Sequence, residues 1–511
     1  MGDGEQRDVI PSRLRQAVRP LPLLLVVLAT IEPFAGFLAR NRGEYLQIDI
    51  LAQIVVASLV VSVAAFLAVA VLLRGVDPAR LAAGHAALGF CFFRYGDVFR
   101  DSDHGLAIRL GAWVVLTAVA VVAVGVWSSY EGVRLFLVVF LAIATLIPAV
   151  SYAGYEFEQR DQSRPLAAGR APIEVADHAV RTPDVWWLVL DGYARADALS
   201  SVHDFDNTEF VDALTDRGFQ VSDDSYSSYP NTALSMSSIL ELDYVATTPE
   251  SLGDGVEAIT SSFRTGGRVA SALREHGYRY LYADDGVYAI SQCDPSAVDV
   301  CVEARPGRIR IGHLARTVAD MTPLAELRQD VQPDPEAMVE RILDDTSPDE
   351  PDFVFAHFLN PHEPMWYDDD CGFRSEPQHT NFGPDAYLRQ LSCLNPSVIA
   401  AVDRITDADP EALVIIQSDH GTGFLGNWHN RNEGFEDWDA DALAERYATL
   451  EAMRFPDACE TPSGDHTIVG TFEFVLACIE GREPVPVIPR YFFWRKGGDD
   501  LVEFDQPRPS N

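Results

Sequence analysis

Five short runs carry the residue types that could do chemistry together. Asp191 follows the apolar run DVWWLVL, and Asn231-Thr232 opens the run TALSMSSILEL after Ser-Tyr-Pro. His357 and His362 stand in FAHFLNPHEP, Asp419-His420-Gly421 follows VIIQS, and His429 stands in GNWHN. A carboxylate and an imidazole side by side before a glycine, with a further carboxylate available, suit one hard or borderline divalent cation. A hydroxyl at a helix start, where free N–H groups and the positive end of the dipole gather, suits attack on an anionic ester. Each residue alone has an ordinary explanation: Asp191 as a turn residue, Thr232 as a helix cap, His362 as part of a rigid proline turn, His429 as an exposed loop histidine. Joint occurrence changes that reading, because five of the twelve histidines fall within residues 357–429, and four of them, His357, His362, His420 and His429, stand near an expected strand end or in the loop after it.

The elements that must position these groups follow from the apolar pattern. Runs at 184–190, 279–283, 352–358 and 412–417 read as buried strands, interleaved with helical patterns near 207–217, 268–276, 335–345 and 384–406. Alternation of that kind predicts an α/β fold with a largely parallel sheet flanked by helices. In such sheets ligands bind beyond the carboxyl ends of the strands, which is where Asp191, His357, His362, Asp419 and His420 stand.

Ahead of this unit the chain has a different character. Apolar runs at 21–39, 50–73, 110–127 and 135–152 are each near the length that crosses a bilayer, and a shorter one at 81–93 carries His85. That shorter run could span, re-enter or lie buried, and it decides the topology. The reading is a membrane domain over 1–152 with about five transmembrane helices, a juxtamembrane linker over 153–183, and a catalytic domain over 184–511. Arg7, Arg13, Arg15 and Arg19 precede the first span, which places the N-terminus in the cytoplasm. Five spans then put the large domain outside the cytoplasmic membrane.

Cysteines and charge agree with that compartment. Cys91 lies in the membrane part, and the other six fall as neighbours, 293/301, 371/393 and 459/478, as three local disulfides of an oxidising compartment would. Residues 1–170 carry 15 Arg and 14 Asp plus Glu, leaving 24 basic and 62 acidic residues in 171–511. A surface so acidic has none of the clustered Lys and Arg that a phosphate backbone requires, so a nucleic-acid partner is excluded.

Taken in order and spacing, DVWWLVLDGYARADAL, SYPNTALSMSSIL, FAHFLNPHEP and IIQSDHG resemble the alkaline phosphatase/sulfatase superfamily. They are most similar to its membrane-anchored bacterial branch, which includes lipoteichoic acid synthases and phosphoethanolamine transferases. The resemblance spans most of residues 184–430 and implies an alkaline-phosphatase-like catalytic domain. It implies Asp191, Thr232, Asp419 and His420 around a divalent metal ion, Mn²⁺ or Zn²⁺ before Mg²⁺ or Ca²⁺, with Thr232 as nucleophile. His362 and His429 match positions that bind the substrate phosphate or, in some relatives, a second zinc, and His357 a supporting position. The chain departs from the membrane transferases in having Asp191 where they carry Glu, and Ser235 and Ser237 stay open as alternative nucleophiles. Sulfatases proper convert a Cys or Ser within C/S-x-P/A-x-R; Cys301-Val302-Glu303-Ala304-Arg305 has Glu at the third place and lies far past the nucleophile helix. The implied activity is transfer of a phospho-head group from a membrane lipid donor to a glycan or lipid acceptor, or its hydrolysis. A tethered sulfatase or phosphodiesterase acting on a soluble ester, and a catalytically silent binding domain, are the alternatives.

Overall fold

The computed structural model describes residues 20–41, 48–99, 105–162, 170–248, 251, 261–284, 293, 296–303, 313–327, 334–378, 383–426, 428, 434–457, 459, 466–494 and 501–508. They form two compact units, one of residues 1–161 with 310–329, the other of residues 162–309 with 330–511.

The first unit is a helical bundle: α1 Pro20–Arg40, α2 Ile48–Leu72, α3 Pro78–Phe93, the short α4 Tyr95–Phe99, α5 Leu106–Trp127 and α6 Glu131–Gln162. Among the described residues α1, α2, α5 and most of α6 are long and apolar enough to cross a membrane. Val60, Val61, Val119, Val122, Leu146 and Ile147 are exposed on the bundle surface, a display that only a lipid solvent rewards. This is a membrane protein. α3, the run carrying His85, is pinned at both ends. At its start Asp77 accepts from Arg134 (2.7 Å) and Arg80 donates to the Gly125 carbonyl (2.9 Å). At its finish the Cys91 carbonyl accepts from Trp113 (3.1 Å), and the following Arg94 donates to Glu32 (2.9 Å). Midway, Thr30 donates to Ser62, which bonds His85 Nε2 at 2.7 Å. α6 runs on to Gln162, so residues 153–162 of the segment read as linker are helical.

A piece of chain far along the sequence belongs to this unit. The helix His313–Asp320 and the turn Pro323–Leu327 lie against it, with Leu314 and Val318 among Phe34, Phe37 and Leu51. Gly96 N–H donates to the Met321 carbonyl (3.2 Å), while Glu326 pairs with Arg109 (2.7 Å) and accepts from the Tyr95 hydroxyl. The excursion interrupts the 184–511 stretch of sequence, whose remaining described residues belong to the second unit.

The second unit is built on seven strands, β1 Val185–Leu190, β2 Gln220–Val221, β3 Arg279–Asp284, β4 Val300–Glu303, β5 Asp352–Phe358, β6 Leu413–Gln417 and β7 Glu451–Arg454, in the order β2-β7-β6-β1-β5-β3-β4. β4, β3, β5, β1 and β6 are mutually parallel, and β7 is antiparallel to β6 and to β2. The four apolar runs are thus β1, β3, β5 and β6, the heart of the mostly parallel sheet. β1 is buried on both faces: Trp186, Leu188 and Leu190 enter one core, Val185, Trp187 and Val189 the other. Such two-sided burial is why these strands read as unbroken apolar runs rather than alternating ones. α7 Thr232–Glu241, α8 Pro384–Ala408 and α9 Ala440–Tyr447 are the helices that matter for the site. Cys293–Cys301, Cys371–Cys393 and Cys459–Cys478 are bridged, and Cys91 is free.

Candidate active site

Register brings the two aspartates together. β1 and β6 pair with Val189 opposite Gln417, so two residues further on Asp191 and Asp419 leave neighbouring strands at the same level. Asp191, Asp419 and His420 each offer a ligand atom within 4.8 Å of the others, and all three are buried. Their remaining atoms are spoken for in a way that aims these toward one another. Asp419 Oδ1 accepts from the N–H groups of Gly192 and His420 (both 3.0 Å). His420 Nδ1 lies 2.9 Å from the Gly421 carbonyl, which fixes the proton there and leaves the Nε2 lone pair free. Asp191 Oδ1 and Asp419 Oδ2 are buried with no hydrogen-bond partner. Two orphaned carboxylate oxygens and an unprotonated imidazole nitrogen are a donor set that fits a divalent cation, and little else explains their burial.

The electrostatics point the same way. Burial, with the neighbouring charge of Asp419, pushes the Asp191 carboxyl well above the usual range. Burial, with the nearby Arg446 guanidinium, pushes His420 well below it.

Thr232 is the first residue of α7, behind an Asn231 whose side chain accepts from the Leu234 N–H (3.0 Å). The threonine is therefore not the cap, and its hydroxyl is available. Oγ1 stands 3.4 Å from Asp191 Oδ2 and 3.4 Å from His420 Nε2. Ser235 donates instead to the Tyr229 carbonyl (3.0 Å), and Ser237 is buried further along the helix.

The histidines separate into distinct surroundings. His357, inside β5, is buried with Nε2 3.6 Å from Asp191 Oδ2, and burial holds its pKa down to about 4. His362 lies in the loop just after β5, its N–H bonded to the Asp191 carbonyl (3.1 Å). Its Nδ1 lies 2.9 Å from the Glu363 carbonyl. Burial opposes its charging, but Asp191 and Glu363 outweigh this and raise its pKa. His429 lies outside the described residues. An open cleft adjoins these groups, lined by His362, Glu363, Tyr387, Phe424, Trp428 and Arg446 among others.

Arg446, buried in α9, was not among the residues the sequence marked. It donates to the Pro230 and Gly421 carbonyls, and Glu445 beside it accepts from His203, Thr422 and the N–H groups of Phe424 and Leu425. No short motif announces either.

A family model described as Sulfatase matches residues 183–444. No curated protein matches the chain. Among solved structures, the C-terminal periplasmic domain of EptC from Escherichia coli is similar at 11% identity and TM-score 0.44, covering 66% of this chain and 96% of that one. The lipooligosaccharide phosphoethanolamine transferase EptA from Neisseria meningitidis is similar at 12% identity and TM-score 0.40, over 90% and 95% of the two chains. The lipoteichoic acid synthase LtaP from Listeria monocytogenes is similar at 11% identity and TM-score 0.40, over 62% and 77%.

Proposed function

The chain belongs to the sulfatase family and is a sulfatase-like hydrolase or transferase, and from that premise we propose that it is a phosphoester transferase with a threonine nucleophile. The observation that carries this is the position of Thr232 Oγ1, 3.4 Å from both Asp191 Oδ2 and His420 Nε2. The residue a sulfatase would convert is not at that place: the nearest signature's Cys301 is bridged to Cys293.

Asp191, Asp419 and His420 would hold a divalent ion, Mn²⁺ or Zn²⁺ in preference to Mg²⁺ or Ca²⁺, since mixed N/O ligation suits either of the first two. Bound there, such an ion lowers the pKa of a neighbouring hydroxyl and draws charge from a phosphoryl oxygen. Thr232 Oγ1 attacks phosphorus in line and becomes esterified, and its proton faces Asp191 Oδ2. The free N–H groups at the start of α7 stabilise charge on the equatorial oxygens. His362, raised toward its charged form, lines the cleft and donates a proton to the leaving alkoxide; His429 is the second candidate for that role. His357 supports Asp191 from beneath. A hydroxyl of an acceptor then takes the phosphoryl group from Thr232.

Four Arg ahead of α1 and three disulfides in the second unit support a cytoplasmic N-terminus and a catalytic unit on the outer face of the cytoplasmic membrane. A bundle of this size, larger than tethering needs, supports a membrane lipid as donor and a glycan or lipid of the cell envelope as acceptor. The test is intact mass of the full chain in detergent after mixing with phospholipid donors and Mn²⁺. A mass increase localised to Thr232, absent from Thr232→Ala and discharged by an acceptor, is expected. Rapid multiple turnover of a water-soluble ester with no dependence on acceptor would make it a tethered hydrolase, and a sulfate ester as the preferred substrate would make it a sulfatase.

A further inference from the structure

The threonine and the ligand trio arrive from different parts of the fold, and something must set the distance between them. Thr232 opens α7, whereas Asp419 and His420 follow β6; no strand register links the two. The side chain that spans the gap is Arg446. Its Nε and Nη2 donate to the Pro230 carbonyl (2.8 and 2.5 Å), two residues before the threonine. Its Nη1 donates to the Gly421 carbonyl (3.1 Å), the same oxygen that accepts the His420 Nδ1 proton. The backbone closes the arrangement, with Gly421 N–H donating to the Arg446 carbonyl (2.7 Å). Gly421 permits this approach because a Cβ there would lie 2.2 Å from the Glu445 carbonyl oxygen. Trp428 covers the guanidinium at 4.2 Å from its ring centroid, shielding it from water.

We propose that Arg446 is a positioning residue that fixes the Thr232 hydroxyl against the Asp191, Asp419 and His420 trio by clamping the Pro230 and Gly421 carbonyls with one planar fork. The inference rests on Thr232 being the nucleophile. It separates the work of the fork from the work of the charge: a lysine retains the charge but, as a point donor, cannot hold both carbonyls in fixed directions. A displacement of about 1 Å in a reacting group costs on the order of 10²-fold in rate. Loss of a partner that orients a ligand histidine costs roughly 10- to 100-fold in metal affinity.

The experiment compares Arg446→Lys, Arg446→Gln and Arg446→Ala in the full chain, using steady-state turnover of a soluble aryl phosphodiester and calorimetric titration with Mn²⁺. For both Lys and Gln, kcat should fall about 100-fold with KM within about threefold, and Mn²⁺ should bind about tenfold more weakly. Added guanidinium should restore at least about tenfold of the lost kcat in Arg446→Ala, which also excludes misfolding. Wild-type kcat in Arg446→Lys would show that charge alone matters. A loss confined to KM would show a substrate contact, and absence of guanidinium rescue would show a general structural role; each overturns the proposal. If the wild-type chain gains no mass at Thr232 with a phospholipid donor, the threonine reading fails instead, and the Mn²⁺ titration still tests the clamp.

Discussion

Removing one carboxylate from the trio should abolish activity and the response to metal while leaving the metal-free protein about as stable as before. In Asp419→Asn the side-chain oxygen can still accept from the Gly192 and His420 N–H groups, now as a neutral acceptor. The change removes a buried negative charge whose ligand oxygen lies within 4.8 Å of that of Asp191. Two charges about 5 Å apart repel by roughly 3 kcal/mol at an effective dielectric near 20. Weakening two charge-assisted hydrogen bonds to neutral ones returns about 1–2 kcal/mol of that. Loss of the attraction between Asp419 and the buried Arg446 guanidinium takes back a similar amount, so the ion-free variant should match the wild type to within about 1 kcal/mol. With Mn²⁺ the two part: an ion at a hundred times its dissociation constant stabilises the wild type by about 2.7 kcal/mol, roughly 4 °C in a unit of this size, and the variant by almost nothing. Thermal melts of the full chain in detergent, followed by tryptophan fluorescence with EDTA or Mn²⁺, read both halves, because Trp186 and Trp187 sit in β1. EDTA melts of Asp419→Asn and wild type more than about 3 °C apart, or an equal Mn²⁺ shift in the two, would refute the reasoning.

Two further outcomes can be checked directly. Thiol labelling of the unreduced protein should modify Cys91 alone, since the other six cysteines are bridged; labelling of all seven without reductant would contradict both the bridges and the oxidising compartment. Gly96→Ala should loosen the 313–327 excursion, because a Cβ there would lie 2.3 Å from the Asp320 carbonyl oxygen. Overpacking of that kind costs about 1–3 kcal/mol, so trypsin should cut after Arg316 faster than in wild type, and an unchanged rate would show the contact to be dispensable.

The central strands were legible because burial on both faces demands unbroken apolar runs, and the lengths of DVWWLVL and DFVFAHF are strand lengths. Asp191 and Asp419-His420 were legible for a related reason: a polar residue ending such a run must stand at the carboxyl edge of the sheet. What sequence could not supply was the register. Val189 opposite Gln417 puts the two aspartates level, and a slip of two residues would have parted them by roughly 7 Å at 3.3 Å per residue. The short strands β2 and β7 escaped notice because two or four residues give too little period to read. Arg446 escaped for a different reason: its partners are backbone carbonyls at Pro230 and Gly421, which carry no side-chain signature at all. The 313–327 excursion combines both difficulties, an amphipathic helix of ordinary appearance whose partners stand more than two hundred residues earlier in the chain.

The number of crossings in the bundle determines on which side of the membrane the catalytic unit is reached, and α3 is the helix that decides it. Its sixteen residues extend only about 24 Å at 1.5 Å per residue, short of a hydrocarbon layer near 30 Å. The contacts at its ends argue for a crossing nonetheless. Asp77 and Arg80 meet Arg134 and Gly125, at the turn between α5 and α6, while Arg94 and the Cys91 carbonyl meet Glu32 and Trp113, near the other ends of α1 and α5. A re-entrant hairpin would return both sets of contacts to one end. Arg80 and Arg94 flank the helix with long side chains that can reach the interface from a shortened span, which lowers the cost of the mismatch. With α3 counted, the start of α1 and the finish of α6 lie at opposite ends of the bundle, and the arginines before α1 then support an outer location for everything after Gln162. Without it, the same arginines would put three disulfides in the cytoplasm, where thiols are kept reduced.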